Sequence, residues 1–228
     1  MIRLLTEDKI ADFAQFCDRR LTGAVIYTRF LTYGLNSDEA LFWYGENEDG
    51  SLNGVFSLSD GIFLACVTDD ADKDETELFA KTVGAAEITY GEAKYTLKFT
   101  GNAKEFIAED ISGENIKDVF NVVFEEDDNR QRYFSRWYTD ASHKIRHGLI
   151  HGKCIYADGK CVAVALTSGE TESTAVISSV ATLSAYRRKG LGEAVVISLA
   201  KSLNKQVCLM TDNSITKQWY EKIGFTAI

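Results

Sequence analysis

The chain has 228 residues, a formal net charge of −9, 45% hydrophobic residues, no proline and five cysteines. An acidic balance argues against a general nucleic-acid-binding face, which needs clustered Lys and Arg, and accords with solubility and with cationic small-molecule partners. Met1-Ile2-Arg3-Leu4-Leu5-Thr6-Glu7-Asp8 lacks the apolar core of a signal peptide, and no later run of about 18 apolar residues could span a bilayer; a cytoplasmic protein with no membrane partner is expected. Cys17, Cys66, Cys154, Cys161 and Cys208 are odd in number, widely spaced and form no CxxC, which predicts buried reduced thiols.

From Thr6 to about Arg20 the chain reads as an amphipathic helix. Thr6 stands as its cap, Glu7 and Asp8 suit its N-terminal dipole, and Ile10, Phe13, Ala14 and Cys17 recur at helical spacing. A second helix is expected from about Thr22 to Tyr33, stopped by Gly34. Three short aromatic and β-branched runs follow, Leu41–Tyr44, Gly54–Leu58 and Ile62–Val67. Asp49-Gly50 and Asp60-Gly61 separate them, the signature of an antiparallel meander. A helix near Asp74–Val83 and strands near Glu87–Tyr90 and Lys94–Phe99 complete the first half. The expected boundary is at Thr100-Gly101-Asn102, giving lobes 1–101 and 102–228.

The second half repeats this order. Helices are predicted near Glu114–Phe124 and Arg130–His147, then strands near Lys153–Ala157, Cys161–Thr167 and Thr174–Leu183. A glycine-rich turn, a helix to about Leu203, a strand over Gln206–Met210 and a last helix to Ile223 follow. The shared order points to a tandem duplication, without a residue-level repeat.

The turn Arg187-Arg188-Lys189-Gly190-Leu191-Gly192 lies between a predicted strand and an amphipathic helix. A helix start offers unpaired N–H groups and a dipole that favours an anion. Glycines at 190 and 192 let the backbone approach a phosphate, and three cations add charge at the same point. No Gly-Lys-Ser/Thr ends the loop, and Val195 stands where a dinucleotide fingerprint needs glycine, so neither a P-loop nor a Rossmann site fits. Leu191, Val195, Leu199 and Leu203 recur every four residues and predict the buried stripe of the helix.

The segment Thr182–Gly192 resembles the acetyl-CoA motif of the GNAT-type N-acetyltransferases, a strand followed by R/Q-x-x-G-x-G/A. A second element of that family follows at Asn213 and Trp219-Tyr220-Glu221-Lys222-Ile223-Gly224-Phe225, so the resemblance covers about 178–225. It implies an α/β fold with a mixed sheet flanked by helices, in two tandem lobes, and an acyltransferase moving an acetyl group from acetyl-CoA to a primary amine of a small molecule or peptide. It further implies that backbone amides from Arg188 to Glu193 hold a pyrophosphate and that Val180, Ala181 and Thr182 pair with the pantetheine arm. Tyr220 would protonate the departing thiolate, and Asn213 would bond the cofactor arm, although Asn213 is equally suited to capping the last helix. Ser184 stands where the family often has proline.

On that last helix, Ile215, Trp219 and Ile223 are expected to form a core stripe, while Asn213, Thr216 and Tyr220 share the face towards the cofactor. The strand Ile177–Thr182 carries no glutamate to act as base. Glu170 and Glu172 are near only in sequence, so no base is assigned. That absence favours the rival expectation, a non-catalytic coenzyme A-binding sensor or a protein-interaction module. His143, His147 and His151 share a four-residue spacing, but Gly148 interrupts the helix, and no metal is expected. Asp70, Asp72 and Asp74 fail as a calcium loop because Glu75 and Lys81 stand where glycine and glutamate are needed. The same acidic run occupies the place of a cradle in the first half. That lobe is therefore expected to be cofactor-free and to help shape the acceptor pocket.

Overall fold

The structure, a computed structural model, describes residues 1–101 and 107–228. The backbone divides into two units, Met1–Ala93 with Gly169–Thr174, and Lys94–Ser168 with Ala175–Ile228.

The first unit runs β1 (Ile2–Leu4), α1 (Ile10–Cys17), α2 (Leu21–Tyr33), β2 (Leu41–Glu46), β3 (Leu52–Ser59), β4 (Ile62–Val67), α3 (Lys73–Thr82) and β5 (Glu87–Thr89). Its sheet has the order β1-β2-β3-β4-β5; the first three pairings are antiparallel and β4–β5 is parallel. Period-2 alternation explains the continuous apolar runs, because both faces of the sheet are covered. Phe42, Tyr44, Val55 and Leu64 pack with Phe13 and Phe30 of α1 and α2, whereas Trp43, Phe56, Phe63 and Ala65 pack with Ala80 of α3. Asp60 and Gly61 take φ of 60° and 74°, as a two-residue hairpin turn requires.

The second unit runs β6 (Tyr95–Phe99), β7 (Glu109–Asp110), α4 (Ile116–Val123), α5 (Gln131–Arg146), β8 (Gly152–Ala157), β9 (Lys160–Glu170), β10 (Thr174–Thr182), α6 (Leu191–Ser202), β11 (Gln206–Thr211), α7 (Ser214–Lys222) and β12 (Phe225–Ala227). The sheet order is β12-β6-β11-β10-β9-β8-β7. Alternation again feeds two cores: Ala163 and Ala165 face the cluster of Val195, Leu199 and Leu209, while Val162, Val164 and Leu166 face that of Ile116 and Val119.

Several expectations shift. The boundary expected at Gly101/Asn102 abuts residues outside those described, since Asn102 is not among them. The contacts divide the chain after Ala93, because β6 pairs antiparallel with both β11 and β12 of the second sheet. Thr6 makes no side-chain capping bond; a 3-10 turn at Glu7–Lys9 precedes α1, which starts only at Ile10. Strand β9 runs on to Glu170 rather than ending at Thr167. Within the first unit, the Thr28 hydroxyl accepts from Glu170 N at 2.8 Å and lies 3.2 Å from Glu170 O, and Gly169 lies so close to α2 that a Cβ would fall 2.5 Å from Val25 N. Asp18 holds the adjoining hairpin tip by accepting from the hydroxyls of Thr171 and Ser173, each at 2.6 Å. The short strands β1, β7 and β12 had no periodic signature long enough to predict.

Candidate acetyl-transfer site

The second unit contains a cleft of about 890 Å³ between the end of β10, the start of α6 and one side of α7. This size suits a small-molecule ligand. Three local features open it.

The first is in β10. Ser179 adopts φ 44°, a left-handed conformation rare for a non-glycine residue and incompatible with a regular ladder. Beyond it Val180, Ala181 and Thr182 are only partly buried and line the cleft.

The second is the start of α6. Its N-cap is Gly190, at φ 80° and ψ 0°, with no side chain to accept from the first turn. The first intrahelical bond is that from Ala194 N to Gly190 O, which leaves the amides of Leu191, Gly192 and Glu193 without a helical acceptor. Arg188 is left-handed as well, at φ 62°. A Cβ on residue 192 would sit 3.3 Å from Thr182 Oγ1, a slightly tight approach, and 3.7 Å from the Trp219 ring, an ordinary contact, so strand, cradle and α7 converge at this glycine. These uncapped donors, with Arg187 and Arg188 on the same wall, fit a diphosphate.

The third is Tyr220, which lines the cleft while 7% exposed, its ring edge-on to Trp219 and Phe225. Burial pushes its hydroxyl up to about 12, so the phenol holds its proton throughout the neutral range.

Of the residues singled out from the sequence, Val180, Ala181, Thr182, Arg187, Arg188, Gly190, Leu191, Gly192, Glu193 and Tyr220 all line this one cleft. Lys189 does not; its ammonium lies 4.8 Å over the Tyr186 ring. Asn213 does not either, because its side chain caps α7, accepting from Ile215 N at 2.9 Å and Thr216 N at 3.0 Å. The expected core stripe of α7 is corrected at one end. Ile215, in the first turn of α7, is 76% exposed at the cleft, and only Ile223 of the three is fully buried. Glu170 and Glu172 do not line the cleft.

Sequence reasoning missed Glu125 and Glu126, which follow α4 and line the same cleft. Glu125 accepts from the N–H of Ser184 at 2.7 Å and its hydroxyl at 3.2 Å. Glu126 pairs with Arg187 at 2.6 Å, while Arg187 Nε donates to Thr182 O at 3.0 Å. A run of Glu-Glu-Asp-Asp signals only a solvated loop, so nothing local could have disclosed these long-range partners. His143 and His147 have ring centroids 4.4 Å apart at the end of α5, and among the described residues no three His, Cys, Asp or Glu side chains gather as a metal site. All five cysteines are free thiols and buried, and no described helix is long and apolar enough to cross a membrane.

The family model for acetyltransferases (GNAT) matches residues 113–225, which contain the whole cleft. No curated protein matches the chain. Among solved structures, a tandem GNAT protein from the clavulanic acid biosynthesis pathway is similar with a TM-score of 0.60 at 11% identity, over 100% of this chain and 95% of that one. A GNAT-family acetyltransferase from Colwellia psychrerythraea gives 0.54 at 12% identity, covering 100% and 96%. One described as a GNAT-family acetyltransferase from Novosphingobium aromaticivorans gives 0.53 at 13%, covering 92% of each. At such identities these likenesses establish the fold, two tandem GNAT-like lobes. Residues 113–225 are a domain of the GNAT acetyltransferase family.

Proposed function

We propose that this domain transfers an acetyl group from acetyl-CoA to a primary amine of a small molecule or peptide. The observation that carries the reading is the uncapped, doubly cationic start of α6 facing the half-exposed end of β10 across one cleft. Amides of Leu191, Gly192 and Glu193, with Arg187 and Arg188, would hold the diphosphate, and Val180–Thr182 would pair with the arm beyond it. Acetyl-CoA supplies the activated thioester; the chain supplies alignment and a proton. Held in a fixed place, an amine meets the thioester as an effectively intramolecular partner. Tyr220, protonated well above neutral pH, is suited to donate from its Oη to a developing thiolate, whose ordinary pKa of about 8.5 lies below that of the phenol. That order of pKa values makes full transfer uphill and a hydrogen bond to the leaving sulfur the larger contribution.

The test is release of free thiol from acetyl-CoA with a panel of amines, with the acetylated product identified by mass spectrometry. Amine-dependent thiol release is expected. Coenzyme A binding with no turnover on any amine would instead favour the sensor reading, for which the absence of a carboxylate along Ile177–Thr182 is the supporting feature.

A further inference from the structure

One cation of the cradle, Arg187, is already engaged. Helix α4 ends at Val123, and Phe124 packs in a tilted pair with Phe120 and edge-on to Trp137, with centroids 4.7 and 5.8 Å apart, which fixes where the chain leaves it. The following residues turn tightly: Asp127 N donates to Phe124 O and Asp127 Oδ1 accepts from Asn129 N. This geometry sets Glu125 and Glu126 on the rim of the cleft. Both Glu125 oxygens grip Ser184, the first residue of the turn leading into the cradle, and Glu126 takes the guanidinium of Arg187.

We propose that Glu126 is an internal competitor for the diphosphate site: its carboxylate occupies the Arg187 guanidinium that a phosphate would take, and Glu125 pins the loop in that position. The inference rests on the diphosphate reading of the cradle. Carboxylate and phosphate both accept bidentate, charge-assisted hydrogen bonds from the planar guanidinium fork of arginine, so the two compete for the same donors. The Arg187–Glu126 pair is half-exposed on both sides, at 50% and 67%, and such a pair is weak enough to exchange. Once Arg187 turns to a ligand phosphate, Glu126 is left as a like charge beside it. Loop 124–130 then has an electrostatic reason to swing away, so ligand entry and loop opening are coupled.

The experiment is calorimetric titration of the full chain with coenzyme A, at low and high salt, comparing Glu126→Gln and Asp128→Asn with the unsubstituted protein. Glu126→Gln is expected to bind about three- to ten-fold more tightly at low salt, with the gain shrinking at high salt. Asp128→Asn removes the same charge from the same loop outside the pair and should change affinity by less than about two-fold. The Glu126→Gln gain should also shrink when Arg187 is Gln, because the competition is for that group. A merely structural Glu126, one that holds Arg187 in place, predicts the opposite sign. Unchanged or weaker binding in Glu126→Gln, or an equal gain from Asp128→Asn, overturns the competitor while leaving the cradle intact. Absence of coenzyme A binding in every protein overturns the cradle and the competitor with it.

Discussion

Both units place a helix after the third strand of their meander, α3 after β4 and α6 after β10, yet the two helix starts have opposite chemistry. The turn before α3 contains Asp69, Asp70 and Asp72; Asp72 accepts from Glu75 N at 3.0 Å, and Asp74 and Glu75 occupy the helix's first turn. That helix carries its own anion. The turn before α6 contains Arg187, Arg188 and Lys189, and its N-cap is a left-handed glycine with nothing to offer the first-turn amides. A self-satisfied helix end is structural, and an unsatisfied one at a cleft is a receptor for a ligand anion. On the proposed reading, the same architecture gives one closed and one open site, decided by a handful of side chains.

The largest expected effect separates chemistry from binding within the open site. Tyr220→Phe should lower turnover by about 10²- to 10³-fold, the range for removing one hydrogen-bond donor to developing charge, with coenzyme A affinity unchanged; turnover at the wild-type level would remove Tyr220 from the mechanism. The same residue sharpens the account through pH. Its folded pKa of about 12 lies above the ordinary value of 10, so its contribution to stability is complete below pH 10 and is lost as pH rises through 12. Two units correspond to about 3 kcal/mol at most. Alkaline unfolding curves should therefore fall less steeply for Tyr220→Phe than for the unsubstituted protein, and parallel curves would mean the hydroxyl is solvated. The smallest effect belongs to the closed site. Asp72→Ala should cost about 1 kcal/mol by denaturant unfolding, the usual loss of an N-cap, with coenzyme A affinity unaltered; an altered affinity would mean that the first unit's helix start is not a purely structural end.

Much of this was legible without coordinates, for physical reasons. The meander of the first unit was written in aromatic runs and Asp-Gly turns, both local signals. The turn before α6 was legible because its glycines and cations are adjacent in sequence. What stayed hidden is non-local or geometric. Nothing in Tyr95–Phe99 says that its partners are Cys208–Thr211 and Phe225–Ala227 rather than the strands before it. The left-handed φ of Ser179 has no residue signature. Glu125 meets Ser184 across 59 positions of sequence. Ile215 has helical spacing with Trp219 and Ile223 but lies on the first turn, beyond the edge of the core, where periodicity carries no information about what lies beneath. Asn213 could serve either a cap or a ligand, and the cap is what its carbonyl makes.

The contrast between the two helix starts is tested most directly by counting coenzyme A molecules bound per chain in a calorimetric titration. One site is predicted, lost or weakened at least about ten-fold by the double charge reversal Arg187→Glu/Arg188→Glu, each lost phosphate contact being charge-assisted. Two sites per chain, or one whose dissociation constant ignores that reversal, would contradict it.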